Sequence, residues 1–158
     1  MIHNIGRKAA EESSQSEQLP LVIGPTEVAD VMTGKVATLS PHSNFNEAAN
    51  LMSDRSFRHC VVVDAHGQLV GVISDRDILR ALARNPNSRS KSLDQIMTHN
   101  PVTVRRNTPI ADAVGKILSK RINCLPVVEE NGTVCGIVTS TDLLKSYQQL
   151  LDMMHKAR

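Results

Sequence analysis

Aromatic side chains are nearly absent from this chain: two Phe, one Tyr and no Trp, 2% of 158 residues. Its core must therefore be aliphatic. Stacking platforms for single-stranded nucleic acid, which need exposed rings, have little to be built from. An excess of one charge is lacking too. Eighteen Lys and Arg against sixteen Asp and Glu leave a formal +2, which supplies no general drive towards nucleic acid or an anionic membrane. No apolar run approaches the about 18 residues of a membrane span, and the N-terminus lacks a secretory apolar segment. Cys60, Cys124 and Cys135 form neither a CxxC nor a Cys/His cluster at ligand spacing. They read as buried thiols of a reduced compartment, and no metal site is expected. The nucleophile elbow Gly-x-Ser-x-Gly, the Walker loop and HExxH are all missing. His59 and Cys60 are adjacent, and neighbours on a strand point to opposite faces. Together these absences predict a cytoplasmic protein that is not an enzyme, with no membrane segment and no nucleic-acid partner.

What the chain does have is an internal duplication. Gly71-Val72-Ile73-Ser74-Asp75-Arg76-Asp77 returns as Gly136-Ile137-Val138-Thr139-Ser140-Thr141-Asp142, and the offset from Asp77 to Asp142, 65 residues, holds along the chain. Met32-Thr33 answers Met97-Thr98, Ala48 answers Ala113, Val62-Val63 answers Val127-Val128, and Gly67 answers Gly132. One gapless register over that length marks two copies of one structural unit.

Each copy predicts β-α-β-β-α. A short strand (Val36–Leu39; Val102–Val104) leads to a helix capped after Ser43 or Thr108, with Pro109 suited to a first helical position. Two β-rich runs follow in each copy, Cys60–Asp64 with Leu69–Ile73, and Leu125–Glu129 with Val134–Val138. Each pair is joined by a short glycine-containing link, which is a hairpin signal. A closing helix runs from Asp75 to about Arg84, and from Ser140 to about Met154. Residues 1–20 read as a mobile polar leader, 21–84 as repeat 1, 85–92 as a linker, and 93–158 as repeat 2 with an extended last helix. One such unit leaves a sheet face uncovered, and two can cover each other. On the last helix, Leu143, Leu144, Tyr147, Leu150, Leu151 and Met154 keep helical spacing. That stripe is core packing in the first instance, while its extra turns offer a contact to a second subunit.

The two corners have a bland reading of their own. Ser/Thr-x-x-Asp ahead of an apolar helix is the form of a capping box, which needs no ligand. A helix start is also a natural seat for an anion, because its first amides lack intrahelical partners.

The Met-Thr opening of each copy, Leu125-Pro126-Val127-Val128 and the two Gly-h-h-Ser/Thr-x-x-Asp corners (h being apolar) resemble a tandem pair of CBS domains, a Bateman module. The likeness covers about Val28 to Leu150. It implies an α+β fold of two β-α-β-β-α repeats packed with pseudo-twofold symmetry, sheets face to face and helices outside, and assembly into a homodimer. It also implies a non-catalytic regulatory module that binds adenosine-containing ligands (AMP, ADP, ATP, S-adenosylmethionine or NAD) between the repeats and controls a separate partner protein. The adenosine nucleotide would be a regulatory ligand, with no catalytic cofactor. The rival expectation is a ligand-free CBS scaffold.

The site residues follow from that resemblance. An ionised carboxylate can accept from both hydroxyls of a ribose, so Asp77 and Asp142 are the ribose candidates, with Ser74 and Thr139 beside them. Val61, Val62, Ile73, Pro126, Val127 and Val138 are the expected adenine pocket. Arg58, His59, Arg76 and Arg121 are the phosphate candidates. The copies differ here. Arg58-His59 stands opposite Asn123-Cys124, and Arg76 opposite Thr141. Neither repeat owns every element, so one copy is expected to supply ribose contacts and the other phosphate contacts, with the pairing left open.

Overall fold

The computed structural model describes residues 24–157. The expected mobile leader, residues 1–20, lies outside them. In repeat 1, strand β1 (Thr38–Leu39), helix α1 (Phe45–Arg55), the hairpin β2 (His59–Val63) and β3 (Leu69–Ser74), and helix α2 (Asp75–Arg84) follow in order. Repeat 2 contains β4 (Thr98–His99), α3 (Ile110–Lys120), the hairpin β5 (Cys124–Val128) and β6 (Val134–Thr139), and α4 (Ser140–Lys156). The class is α+β, and in each repeat a helix, a hairpin and a closing helix follow in the expected order, but the strand expected at Val102–Val104 is reduced to a single bridge of Val104 with Val127, and β4 lies before it. Both hairpins even carry a register irregularity at the same place, Val62/Val63 and Val127/Val128.

The caps sit one residue later than expected. Asn44 caps α1, its side chain accepting from the Glu47 amide at 3.0 Å. Ser43 is engaged elsewhere, its carbonyl accepting from Leu93 N–H. Pro109 is the residue before α3, and Thr108 Oγ1 accepts from Arg105 N–H instead, closing the preceding turn.

Sheet pairing crosses the repeat boundary. β1 runs parallel to β2, and β2 antiparallel to β3, but the next neighbour of β3 is β4, the opening strand of repeat 2. The exchange is reciprocal. Thr33, in the opening segment of repeat 1, bridges Ile137 on β6. The buried residues follow the same exchange. Leu93 and Met97 enter the core of repeat 1 with Phe45, Ala48, Met52 and Ile73. Val28 enters the core of repeat 2 with Ala113, Ile117 and Leu125. At about 25 cal/mol per Å² of buried apolar surface, each opener is tied to the opposite repeat by side chains as well as by its ladder.

Between the sheets lies a third apolar layer, centred on Val61, Cys124 and Ile137 with Val63, Val72 and Val134 against it. Strand alternation explains it: Cys60 and Val62 point outward to the helices, while Val61 points to the other sheet. The hairpin tips also clasp. Leu69 N–H donates to Gly132 O and Val134 N–H to Gly67 O, both at 3.3 Å. Gly67 and Gly132 turn there with φ of +76° and +84°, a region a side chain rarely adopts.

The long last helix departs from expectation. No residue of α4 is fully buried, and Leu144 (68%) and Tyr147 (59%) stand exposed. Leu143 packs against the core of repeat 2 and Leu150 is half-buried, as expected of core packing, but Leu144, Tyr147 and Met154 of the stripe stay exposed. Among the described residues no helix is long and apolar enough to cross a membrane.

Candidate functional site

Both duplicated corners are closed capping boxes. Ser74 N–H and Oγ–H donate to Asp77 Oδ2 at 2.9 and 2.7 Å, and Asp77 N–H returns to Ser74 Oγ at 3.2 Å. Thr139 and Asp142 repeat the pattern at 2.8, 2.8 and 3.3 Å. Capping therefore uses only one carboxylate oxygen at each corner. The second oxygen distinguishes them. Asp77 Oδ1 is reached by Arg80 Nη1 at 3.4 Å, whereas Asp142 Oδ1 has no hydrogen-bond or ion-pair partner among the described residues. The equivalent of Arg80 is Lys145.

Asp142 opens onto a cleft of about 560 Å³ between the repeats. Repeat 2 contributes Ile137 and Thr139 to Asp142. Repeat 1 contributes the opener Thr33 to Ala37, the stretch Ser56 to His59, and Ser74, Asp75 and Arg76. Of the expected residues, the fold thus brings Asp142 and Thr139 together with Ser74, Arg58, His59 and Arg76 from the other repeat. Asp77 lines a separate, smaller cleft. Arg121 ends α3 in a left-handed conformation (φ 54°) and lines neither.

None of the six expected adenine-pocket side chains lines the cleft. Strand parity is the reason. Val62 and Ile73 fill the helix-side core of repeat 1, and Val127 and Val138 that of repeat 2. Val61 and Pro126 are fully buried between elements, with Val61 N–H donating to Ala37 O and Pro126 O accepting from Val104 N–H. The apolar wall consists instead of Val36, Ala37, Phe57 and Ile137. Val36 and Ala37 follow Thr33, whose bridge to Ile137 brings this segment against the corner of repeat 2, as does Lys35, a cation the sequence did not single out.

Three cations, Lys35, Arg58 and Arg76, face two carboxylates, Asp75 and Asp142, across the cleft. Arg58 Nε donates to Asp75 Oδ2 at 3.0 Å, but the arginine is 80% exposed, and such a pair is worth about 0–1 kcal/mol. It can be surrendered to a phosphate cheaply. Burial depresses the His59 pKa, opposed by Asp75 and Asp77 and assisted by Arg58 and Arg76. The imidazole in the wall is consequently neutral at pH 7. Among the described residues no group of three His, Cys, Asp or Glu is placed to hold a metal ion.

Comparison with known proteins agrees with this architecture. Residues 28–84 and 93–149 each match the CBS domain family. The chain belongs to that family. Each matched stretch begins at the exchanged opener, so the CBS unit of the sequence is not the unit of the sheet. This CBS pair is 35% identical over 124 residues to a homoserine O-acetyltransferase of Methanohalobium evestigatum, an alignment covering 78% of this chain and 24% of that enzyme. The chain thus spans about a quarter of the length of that enzyme. Among solved structures, it superposes with TM-score 0.74 and 33% identity on the CBS domain pair of protein MJ0100 in complex with 5′-methylthioadenosine and S-adenosyl-L-methionine, covering 78% of this chain and 97% of that one. CBSX2 in complex with AMP superposes with TM-score 0.72 and 27% identity, covering 80% and 98%.

Proposed function

We propose that this CBS pair is a non-catalytic sensor that binds an adenosine nucleotide in the Asp142 cleft and reports its presence to a separate partner protein. The observation that carries the reading is the free Oδ1 of Asp142, set in a cleft whose cations come from the other repeat. Oδ2 stays in the capping box while Oδ1 accepts from the ribose hydroxyls. Val36, Ala37, Phe57 and Ile137 cover the base, and Lys35, Arg58 and Arg76 meet the phosphates. The complexes of MJ0100 and CBSX2 with adenosyl ligands support the ligand class.

A ligand that touches both repeats favours the inter-repeat geometry in which those contacts fit, and a partner that prefers the same geometry reads it as a population shift. The exposed Leu144, Tyr147 and Met154 of α4 are the proposed contact of a homodimer, in the cytoplasm. The test is calorimetric titration of the full chain with AMP, ADP, ATP, NAD and S-adenosylmethionine. At least one is expected to bind, and Asp142→Asn to weaken it about tenfold or more, the loss of one charge-assisted hydrogen bond of about 1.5–3 kcal/mol. Asp77→Asn, whose oxygen is already held by Arg80, is expected to leave that binding within about threefold. Silence with all five ligands would favour the ligand-free scaffold, for which the intact capping boxes already provide a sufficient reason to keep both aspartates.

A further inference from the structure

A second cleft, about 300 Å³, lies between α2, the chain that follows it and the opener of repeat 2 (Gln95 to Thr98). Its walls are Arg80 and Arg84, one helical turn apart on the same face, and Lys91, which follows the tight turn Pro86–Ser90. Asp77 is the carboxylate in its lining. Three cations against one carboxylate leave two positive charges without compensation. Arg80 is paired with Asp77 at 3.4 Å, while Arg84 and Lys91 have no ion-pair partner among the described residues. Lys91 is also half-buried. Clustering like charges in a partly desolvated recess is unfavourable, and an anion between them removes the cost.

The recess is also built, and only once. Where α4 continues as a helix, the chain after α2 folds back and is pinned there. Ser88 is 2% exposed, and its Oγ–H donates to Ala81 O at 3.0 Å. Asn85 N–H donates to the same carbonyl oxygen, also at 3.0 Å. Around repeat 2 the counterparts of Arg80, Arg84 and Lys91 are Lys145, Gln149 and Thr26, the last in the segment that leads into repeat 1. The full set of three cations is therefore found around α2 and not around α4.

We propose that this cleft is an anion site, separate from the Asp142 cleft, for the dianionic phosphate group of free phosphate or of a small phosphate monoester. Two charges match the two left uncompensated, and the guanidinium forks of Arg80 and Arg84 suit tetrahedral oxyanions. The phosphate competes with Asp77 for Arg80.

The test is titration of the full chain with inorganic phosphate and with glycerol 3-phosphate at constant ionic strength, to hold screening fixed. Saturable binding is expected, with the tighter probe identifying the source of the phosphate. Arg84→Gln/Lys91→Gln should weaken binding at least tenfold, and Asp77→Asn, which removes the competitor for Arg80, should tighten it several-fold. Arg58→Gln/Arg76→Gln should leave it unchanged. Urea midpoints of each variant establish that it is folded. Absence of saturable binding, or equal affinity in Arg84→Gln/Lys91→Gln, overturns the proposal. Loss in Arg58→Gln/Arg76→Gln alone also overturns it, and would place the phosphate in the Asp142 cleft. Because neither probe carries adenosine, failure of the nucleotide reading leaves this result standing.

Discussion

Thr33 and Ile137, in different copies of the duplicated sequence, bond to each other in both directions: Thr33 N–H donates to Ile137 O at 2.9 Å and Ile137 N–H to Thr33 O at 3.0 Å. This pair fastens the opener of repeat 1 to the corner strand of repeat 2. It therefore sets Lys35, Val36 and Ala37 against Asp142, and the candidate site depends on it.

The proposed phosphate contacts are separable from the proposed nucleoside contacts. Arg58→Gln/Arg76→Gln is expected to weaken ATP more than AMP, and AMP more than adenosine, because Coulomb attraction scales with ligand charge. The difference should shrink as salt rises. Titrations of the three ligands at low and high salt check it; equal losses for all three would remove the arginines from the phosphate contacts.

His59 makes stability depend on pH with a definite sign. Its folded pKa is depressed, so between that value and the unfolded value of about 6.5 the unfolded chain binds more protons. The contribution is fully present above about pH 6.5 and is lost as pH falls through the window. Urea unfolding of the wild type between pH 7.5 and about 5 should show a falling midpoint, and His59→Gln should flatten that slope. A midpoint that rises on acidification, or an unchanged slope in the variant, would exclude this role.

Gly71 and Gly136 hold the openers close. A Cβ on Gly71 would lie 2.9 Å from the Thr98 carbonyl oxygen and against Met97 Sδ, whereas one on Gly136 would be 3.2 Å from Thr33 O and 2.7 Å from the flexible Met32 Sδ. Gly71→Ala is expected to cost about 1–3 kcal/mol, as overpacking does, and Gly136→Ala less. Chemical denaturation of both variants measures the order.

The thiols should react unequally. Burial pushes Cys60 up to about 11 and Cys124 up to about 12, so neither supplies thiolate near neutrality. Cys135, half-buried and with Sγ–H directed to Val127 O at 3.4 Å, is expected to be the first of the three to react with a disulfide reagent. Mass spectrometry of the partly labelled native protein identifies it, and rapid labelling of Cys60 or Cys124 would contradict their burial.

Legibility tracked the range of the interactions involved. The hairpins could be read because their signals, Gly67 and Gly132 between β-rich runs, are local. So could the capping boxes, three residues apart. The apolar wall of the Asp142 cleft could not. Alternation along β2 says that Val61 and Val62 face opposite ways, but not which way the second sheet lies. Lys35 was missed for a related reason, since nothing near it in sequence points to Asp142.

Sequence by itself determined the duplication, the β-α-β-β-α order, the aliphatic core and the two Ser/Thr-x-x-Asp corners, because each is written in spacing and side-chain type. Tertiary structure decided what the duplication could not. By exchanging the openers and facing the two hairpins it gave one corner the cations of the other repeat, while a contact local to α2, Arg80 with Asp77 three residues before it, left Asp142 as the aspartate with an oxygen to spare. Two corners of one pattern thus became unequal, largely through neighbours from the opposite repeat that no local pattern specifies.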